Sequence, residues 1–396
     1  MESDAKLKGM VDDGDRRGEE IRAAVKLTGA AVAGLTDLVE AMHLNISRAP
    51  WPVGKMETGR TRGLTGLVYS MIRGVARAVS GGLDAALVRL TPLLGPGSGA
   101  PSLERETLLA ALNGVSGDYL ASTGNALAIR PRIRQGGVAL TLRKEALAAA
   151  IQAPARRVLV MVHGFCMSDL QWRREGHEHG ATLASALGSS VVHFHYNSGL
   201  RISENGTALA SLLEELVREW PTPLEELNLV GYSMGGLVAR SACQQGALAG
   251  HAWSRIHKRL IFVGTPHHGA PLARGGGWAH LLLGISPYSA ALTLLSERQS
   301  AGLVDLRAGF VLEGNAGAQL PLGVECFAIA GSKSACATER PASDGLVPVE
   351  SAFGQHAVPA LCLPFDDSRR FISYGTSHLD LLAKREVYER LLQWLA

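Results

Sequence analysis

Leu229-Val230-Gly231-Tyr232-Ser233-Met234-Gly235-Gly236 is the stretch on which the reading of this chain turns. Gly231 to Gly235 form a G-x-S-x-G pattern. Leu227, Leu229 and Val230 make an apolar run before it, and Leu237, Val238, Ala239, Ser241 and Ala242 read as a helix after it. A serine on a tight strand-to-helix turn needs small residues two places to either side. Their missing side chains let the turn close and hold the hydroxyl out over the helix N-terminus, at strained backbone angles. A glycine-rich turn with an ordinary serine spells the same five letters, so the surroundings decide its meaning.

Upstream, Arg157-Val158-Leu159-Val160-Met161-Val162 is an apolar strand that ends in His163-Gly164-Phe165. Downstream, Ser343-Asp344-Gly345-Leu346-Val347-Pro348 offers an acid at a turn. Ser377-His378-Leu379-Asp380-Leu381-Leu382 offers a histidine just before a terminal helix. The order is serine, acid, histidine. On these residues the chain resembles the α/β-hydrolase superfamily over roughly residues 103–396. Within it, the chain looks most like bacterial lipases and esterases, including the GPI inositol-deacylase-like branch. The resemblance implies an α/β fold with a mostly parallel sheet and helices on both faces. It assigns Ser233 as nucleophile, Asp344 as acid and His378 as base, the chain order of that fold. It also assigns an oxyanion hole to the backbone N–H groups of Met234 and Phe165. Thr265-Pro266-His267-His268-Gly269 resembles a stretch that shapes the pocket wall in such lipases.

Rivals exist for two of these roles. His356 competes with His378 as base, but it precedes the last strand placed on the sequence, near Ala360–Leu363, which is early for this fold. Asp366 and Asp367 compete with Asp344, whose Asp-Gly pair is also an ordinary turn. His163 reads as a brace for its loop. Phe165 and Trp172 suit either an acyl-binding surface or core packing.

Composition narrows the classes. An apolar fraction of 46% over 396 residues is enough to bury a sizeable core. A formal charge of +3 makes no electrostatic case for nucleic acid. Five scattered cysteines without a C-x-x-C pair leave at least one thiol free and favour a reducing, cytoplasmic setting. Cys326 and Cys336 could pair only if the protein were secreted. The first twenty residues are mixed-charge and predict no signal peptide.

Apolar or small positions at Ile21, Val25, Thr28, Val32, Leu35, Val39 and Met42 step by fours and threes, and a second helical stripe follows at Leu64, Leu67, Val68, Met71, Ile72, Val75, Val79, Leu83, Leu87 and Leu90. Gly95-Pro96-Gly97-Ser98-Gly99 reads as a linker. Residues 1–100 are therefore expected to form a helical appendage and linker, and residues 101–396 the catalytic domain. The appendage helices either pack on a core or lie on a membrane as a peripheral contact. From Ser102 the sequence predicts a helix to Leu120 and strands at Ala128–Arg134 and Val138–Leu142 around Gly136-Gly137. Strands and helices then alternate: 157–162, helix 177–187, 190–196, helix 205–219, 226–231, helix 235–246 and 259–264, with a further strand at Val324–Ala330. The stretch about 272–322 is too long for a simple connection and reads as a helical cap or lid.

Metal readings are weaker. His193 and His195 share a strand face, with no carboxylate or thiol adjacent in sequence. On a helix, His177 and His179 would point about 200° apart. Asp380 matches the position of a calcium-binding aspartate in some bacterial lipases. The expectation is no metal and no cofactor. The implied activity is hydrolysis of carboxylic esters with a hydrophobic ester substrate. Acyltransferase, amidase and a non-enzymatic membrane- or partner-binding scaffold are the alternatives.

Overall fold

A computed structural model of the chain describes residues 103–269, 299–313, 319–336 and 342–396. The appendage expected over residues 1–100 lies outside the described residues, as do residues 272–298 and 314–318 of the expected cap. Every element below belongs to one structural unit. In chain order these are α1 (Leu103–Ser122), β1 (Arg132–Gln135), β2 (Val138–Ala139), α2 (Lys144–Ala150), β3 (Arg157–Val162), α3 (His179–Leu187), β4 (Ser190–His195), α4 (Ile202–Glu219), β5 (Glu226–Tyr232), α5 (Met234–Leu248), β6 (His257–Val263), α6 (Ala301–Ala308), β7 (Glu325–Ser332), α7 (Val349–Ala352), β8 (Arg370–Tyr374) and α8 (Arg385–Leu395).

The eight strands form one sheet in the order β2-β1-β4-β3-β5-β6-β7-β8. From β4 to β8 all neighbours run parallel, while β1 is antiparallel to both β2 and β4. This is an α/β-hydrolase fold. The chain starts its parallel part at β3, adds β4 on one side, then crosses back to add β5 on the other. That reversal opens a crevice beyond the carboxyl ends of β3 and β5. His163-Gly164-Phe165 and Ser233 both sit at that edge.

The strands are apolar on both sides because both faces are covered. On one face Leu159, Met161, Val230, Tyr232, Ile261, Val263 and Ile329 pack with Leu183 of α3 and Val387, Leu391, Trp394 and Leu395 of α8. On the other lie α4 and α5, whose Leu209, Leu213, Leu237 and Val238 are fully buried. Among the described residues, no helix is long and apolar enough to cross a membrane. All five cysteines are free, so Cys326 and Cys336 are not paired.

Two expectations differ from the structure. The apolar segment Ala360–Leu363 is not a strand; Pro359–Leu361 is a single 3-10 turn. Leu363 and Phe365 are buried as a plug, with the Phe365 ring 5.8 Å from Phe262. The last strand is β8, which was hidden behind Asp366, Asp367, Arg369 and Arg370. It is an edge strand with a mostly half-buried pattern, so it lacks the continuous apolar run of an inner parallel strand. The hairpin strands β1 and β2 are also shorter than expected, because pairing starts only after Pro131. Their turn is as read, with Gly136 and Gly137 at φ 57° and 84°.

Candidate active site

Ser233 follows β5 directly and has φ 53° and ψ −123°, a left-side backbone that a serine adopts only under constraint. The constraint is the closeness of three elements. A Cβ on Gly231 would strike the backbone of Gly236, and one on Gly235 would strike the carbonyl of Val162 at the end of β3. Either addition would push α5 off the sheet. The Ser233 N–H donates to Val263 O at 2.8 Å and fixes the turn to β6. Its side chain does not cap α5, so the hydroxyl is left uncommitted at the helix N-terminus.

Asp344 lies in the turn after β7 and is 1% exposed. Its Oδ1 accepts from the N–H groups of Leu346 and Val347, both at 2.8 Å. Its Oδ2 accepts from His378 Nδ1 at 2.6 Å, and its backbone carbonyl accepts from the His378 N–H at 3.0 Å. The imidazole is therefore clamped by ring and backbone to one residue. With Nδ1 carrying the proton toward Asp344, Nε2 is the basic pole.

Ser233 and His378 meet the end of β6 from two sides. Ser233 bonds the carbonyl of Val263, and the His378 ring lies against the next residue: a Cβ on Gly264 would sit 3.1 Å from its Cε1. Among the described residues no hydrogen bond joins Ser233 Oγ to His378. Such bonds are commonly long in free enzymes and tighten with substrate bound.

Asp366 and Asp367 are exposed and pair with Arg369 and Arg370, respectively. His356 is exposed; its Nδ1 accepts from the Val358 N–H at 3.0 Å, and its ring lies 4.9 Å from His268. Neither rival aspartate contacts His378. The Asp380 carboxylate accepts from Ser377 N–H at 2.9 Å and Ser377 Oγ at 2.6 Å. It ties off the turn that carries His378.

The loop after β3 supplies the other wall. Cys166 has φ 56°, and its N–H donates to Ser198 Oγ at 3.0 Å. Among the described residues neither the Phe165 nor the Met234 N–H has an acceptor. His163 braces this loop. Its Nδ1 donates to Gly164 O at 2.9 Å, its Nε2 accepts from the Tyr196 N–H at 3.4 Å, and its ring stacks on Tyr196 at 4.3 Å. Tyr196 OH donates to His163 O at 2.7 Å. The Phe165 and Trp172 side chains are buried in the core at 1% and 0% exposure. His267 bonds Arg240 of α5 through Nδ1 at 2.9 Å and packs on Phe262.

The histidine pairs are tied up within the protein. His177 lies just before α3, not on it, so its Nε2 reaches His179 Nδ1 at 2.8 Å, contrary to the helical expectation. His193 bonds Glu178 at 3.1 Å, a carboxylate that sequence adjacency concealed. Glu106, Asp169 and His195 have the spacing of a metal-binding set. The guanidinium of Arg134 reaches all three, at 2.7, 3.0 and 2.9 Å, and supplies the cation.

Burial holds His163 and His257 down at about 3 and His179 at about 4, so all three are neutral in the folded protein. Unfolding returns each to a value near 6.5. Their folded values lie below the unfolded one, so their stabilising share is full above about pH 6.5 and is lost as pH falls toward 4. Each removes up to about 1.4 kcal/mol per pH unit in that window. Thermal unfolding at pH 7.5, 6.0, 5.0 and 4.5 should give a falling Tm. A flat Tm would mean that these rings are hydrated in the native state.

A family model described as a domain of unknown function (DUF7379) matches residues 137–313. No curated protein matches the chain. Among solved structures, the mature form of the Bacillus licheniformis lipase BlEst2 is similar at 21% identity, covering 61% of this chain and 94% of that one, with a TM-score of 0.42. An esterase from Pyrobaculum calidifontis is similar at 14% identity, covering 62% and 76%, with a TM-score of 0.42. EstA from Clostridium botulinum is similar at 13% identity, covering 74% and 97%, with a TM-score of 0.41.

Proposed function

We propose that this protein is a serine hydrolase of carboxylic esters that works through an acyl-enzyme on Ser233. The observation that carries the reading is the His378–Asp344 bond at 2.6 Å beside a serine held at φ 53° on a strand-to-helix turn. Ser233 Oγ attacks the ester carbonyl and passes its proton to His378 Nε2. Asp344 stabilises the resulting imidazolium. The Phe165 and Met234 N–H groups receive the oxyanion. The imidazolium gives its proton to the departing alcohol, and water then repeats the sequence to release the acid. By family resemblance the substrate is a lipid or other hydrophobic ester, as in the bacterial lipases and the GPI inositol-deacylase-like branch.

A fluorophosphonate probe followed by an ester panel of graded acyl length tests this. Covalent labelling of folded protein at Ser233, with turnover that rises with acyl length, is the expected result. Well-folded protein that neither labels nor turns over any ester would favour a binding scaffold instead.

A further inference from the structure

Tyr232, the residue between Gly231 and Ser233, is 1% exposed. Strand alternation turns it to the sheet face opposite Gly231. Its ring lies 5.0 Å from the His378 imidazole and 5.9 Å from the Trp172 ring. Its hydroxyl donates to the backbone carbonyl of His378 at 3.0 Å. Building on the proposed function, we propose that Tyr232 is a positioning residue that sets the spacing between nucleophile and base.

His378 sits outside regular structure, on the short turn between β8 and the 3-10 segment Leu379–Leu382. Asp344 holds its ring and its N–H, and Asp344 is itself on a turn. These bonds orient the imidazole but link it only to the acid loop. The Tyr232 hydroxyl adds the missing link, because Tyr232 and Ser233 are consecutive at the rigid end of β5. A displacement of the turn carrying the base must stretch a bond to the strand carrying the nucleophile. Effective acyl transfer requires reacting atoms held within a few tenths of an ångström, so this link bears on rate more than on binding. Burial, with Asp344 and Asp380 adding to it against Arg174, pushes the phenol well above its usual range. The hydroxyl therefore donates at every working pH.

Core packing alone would need the ring and not the hydroxyl, which Tyr232→Phe separates. In the full chain, with kcat expressed per fluorophosphonate-titrated site, Tyr232→Phe should lower kcat about tenfold. KM should stay within about twofold, the labelling rate should fall in parallel, and the loss should be the same from pH 6 to 9 because the phenol does not titrate there. Trp172→Phe is the packing control. It trims the other neighbour of the same ring, so it should lower Tm while kcat per titrated site stays near wild type. Wild-type kcat per site in Tyr232→Phe would overturn the proposal. So would a Trp172→Phe loss as large as that of Tyr232→Phe, because packing would then suffice. Should Tyr232→Phe not fold, Trp172→Phe decides by itself: a loss of about tenfold or more in kcat per titrated site overturns the proposal, and wild-type kcat per site with a lowered Tm upholds it. If the wild type neither labels nor turns over esters, the proposed function fails first, and Tyr232 is left with no base to position.

Discussion

Ser233→Ala is expected to reduce kcat for ester hydrolysis by about 10⁴- to 10⁶-fold with Tm nearly unchanged. The size follows from what the side chain does and does not do. Its hydroxyl does not cap α5, and the turn is held by the Ser233 N–H on Val263 O at 2.8 Å, which alanine retains. Removing one oxygen therefore costs the fold little and removes the only atom proposed to bond the acyl carbon. The residual rate would come from the oxyanion donors and substrate binding. Steady-state kinetics on the preferred ester, with circular dichroism of the same samples, checks both halves. Retention of more than a hundredth of wild-type kcat would assign the chemistry elsewhere.

Asp344→Asn should lower kcat by about 10³- to 10⁴-fold, again in folded protein. An asparagine oxygen still accepts from Leu346 and Val347 N–H, which aspartate Oδ1 now takes at 2.8 Å each. That orientation aims its NH₂ at His378 Nδ1, where Oδ2 now accepts at 2.6 Å. Two donors cannot face each other, so the ring must switch tautomer. Nε2 then carries the proton and no longer accepts one from Ser233. KM should change little, since the carboxylate is buried behind the imidazole. A loss under tenfold would mean that His378 keeps its tautomer without this acid. Asp344→Ala differs in kind, because it strands the buried Val347 N–H and the half-buried Leu346 N–H and should also lower Tm.

The parallel strands and the serine turn were legible because their signals are local. Continuous apolar runs bounded by turns mark β3 to β7, and two glycines spaced around a serine mark a close approach whatever packs against them. The glycines prove to face Gly236 and the Val162 carbonyl, contacts that need the whole β3–β5–α5 unit. The signal weakened at β8, where an edge strand carries Arg370 and mostly half-buried neighbours. It failed for Ala360–Leu363, where apolar residues plug a loop, because burial by itself does not distinguish a plug from a strand.

Chain order alone ranked Asp344 before His378, but their 34-residue separation says nothing of contact. Contact is settled by the parallel β7–β8 pairing, which brings the turn after β7 beside the turn after β8. The same holds for Tyr232 and His378, 146 residues apart, and for Arg134 among Glu106, Asp169 and His195. Backbone periodicity and tight turns depend on neighbours a few residues away, so the letters carry them. Hydrogen-bond partners of buried polar groups are chosen by which strand ends the sheet sets side by side, and only the assembled sheet specifies those.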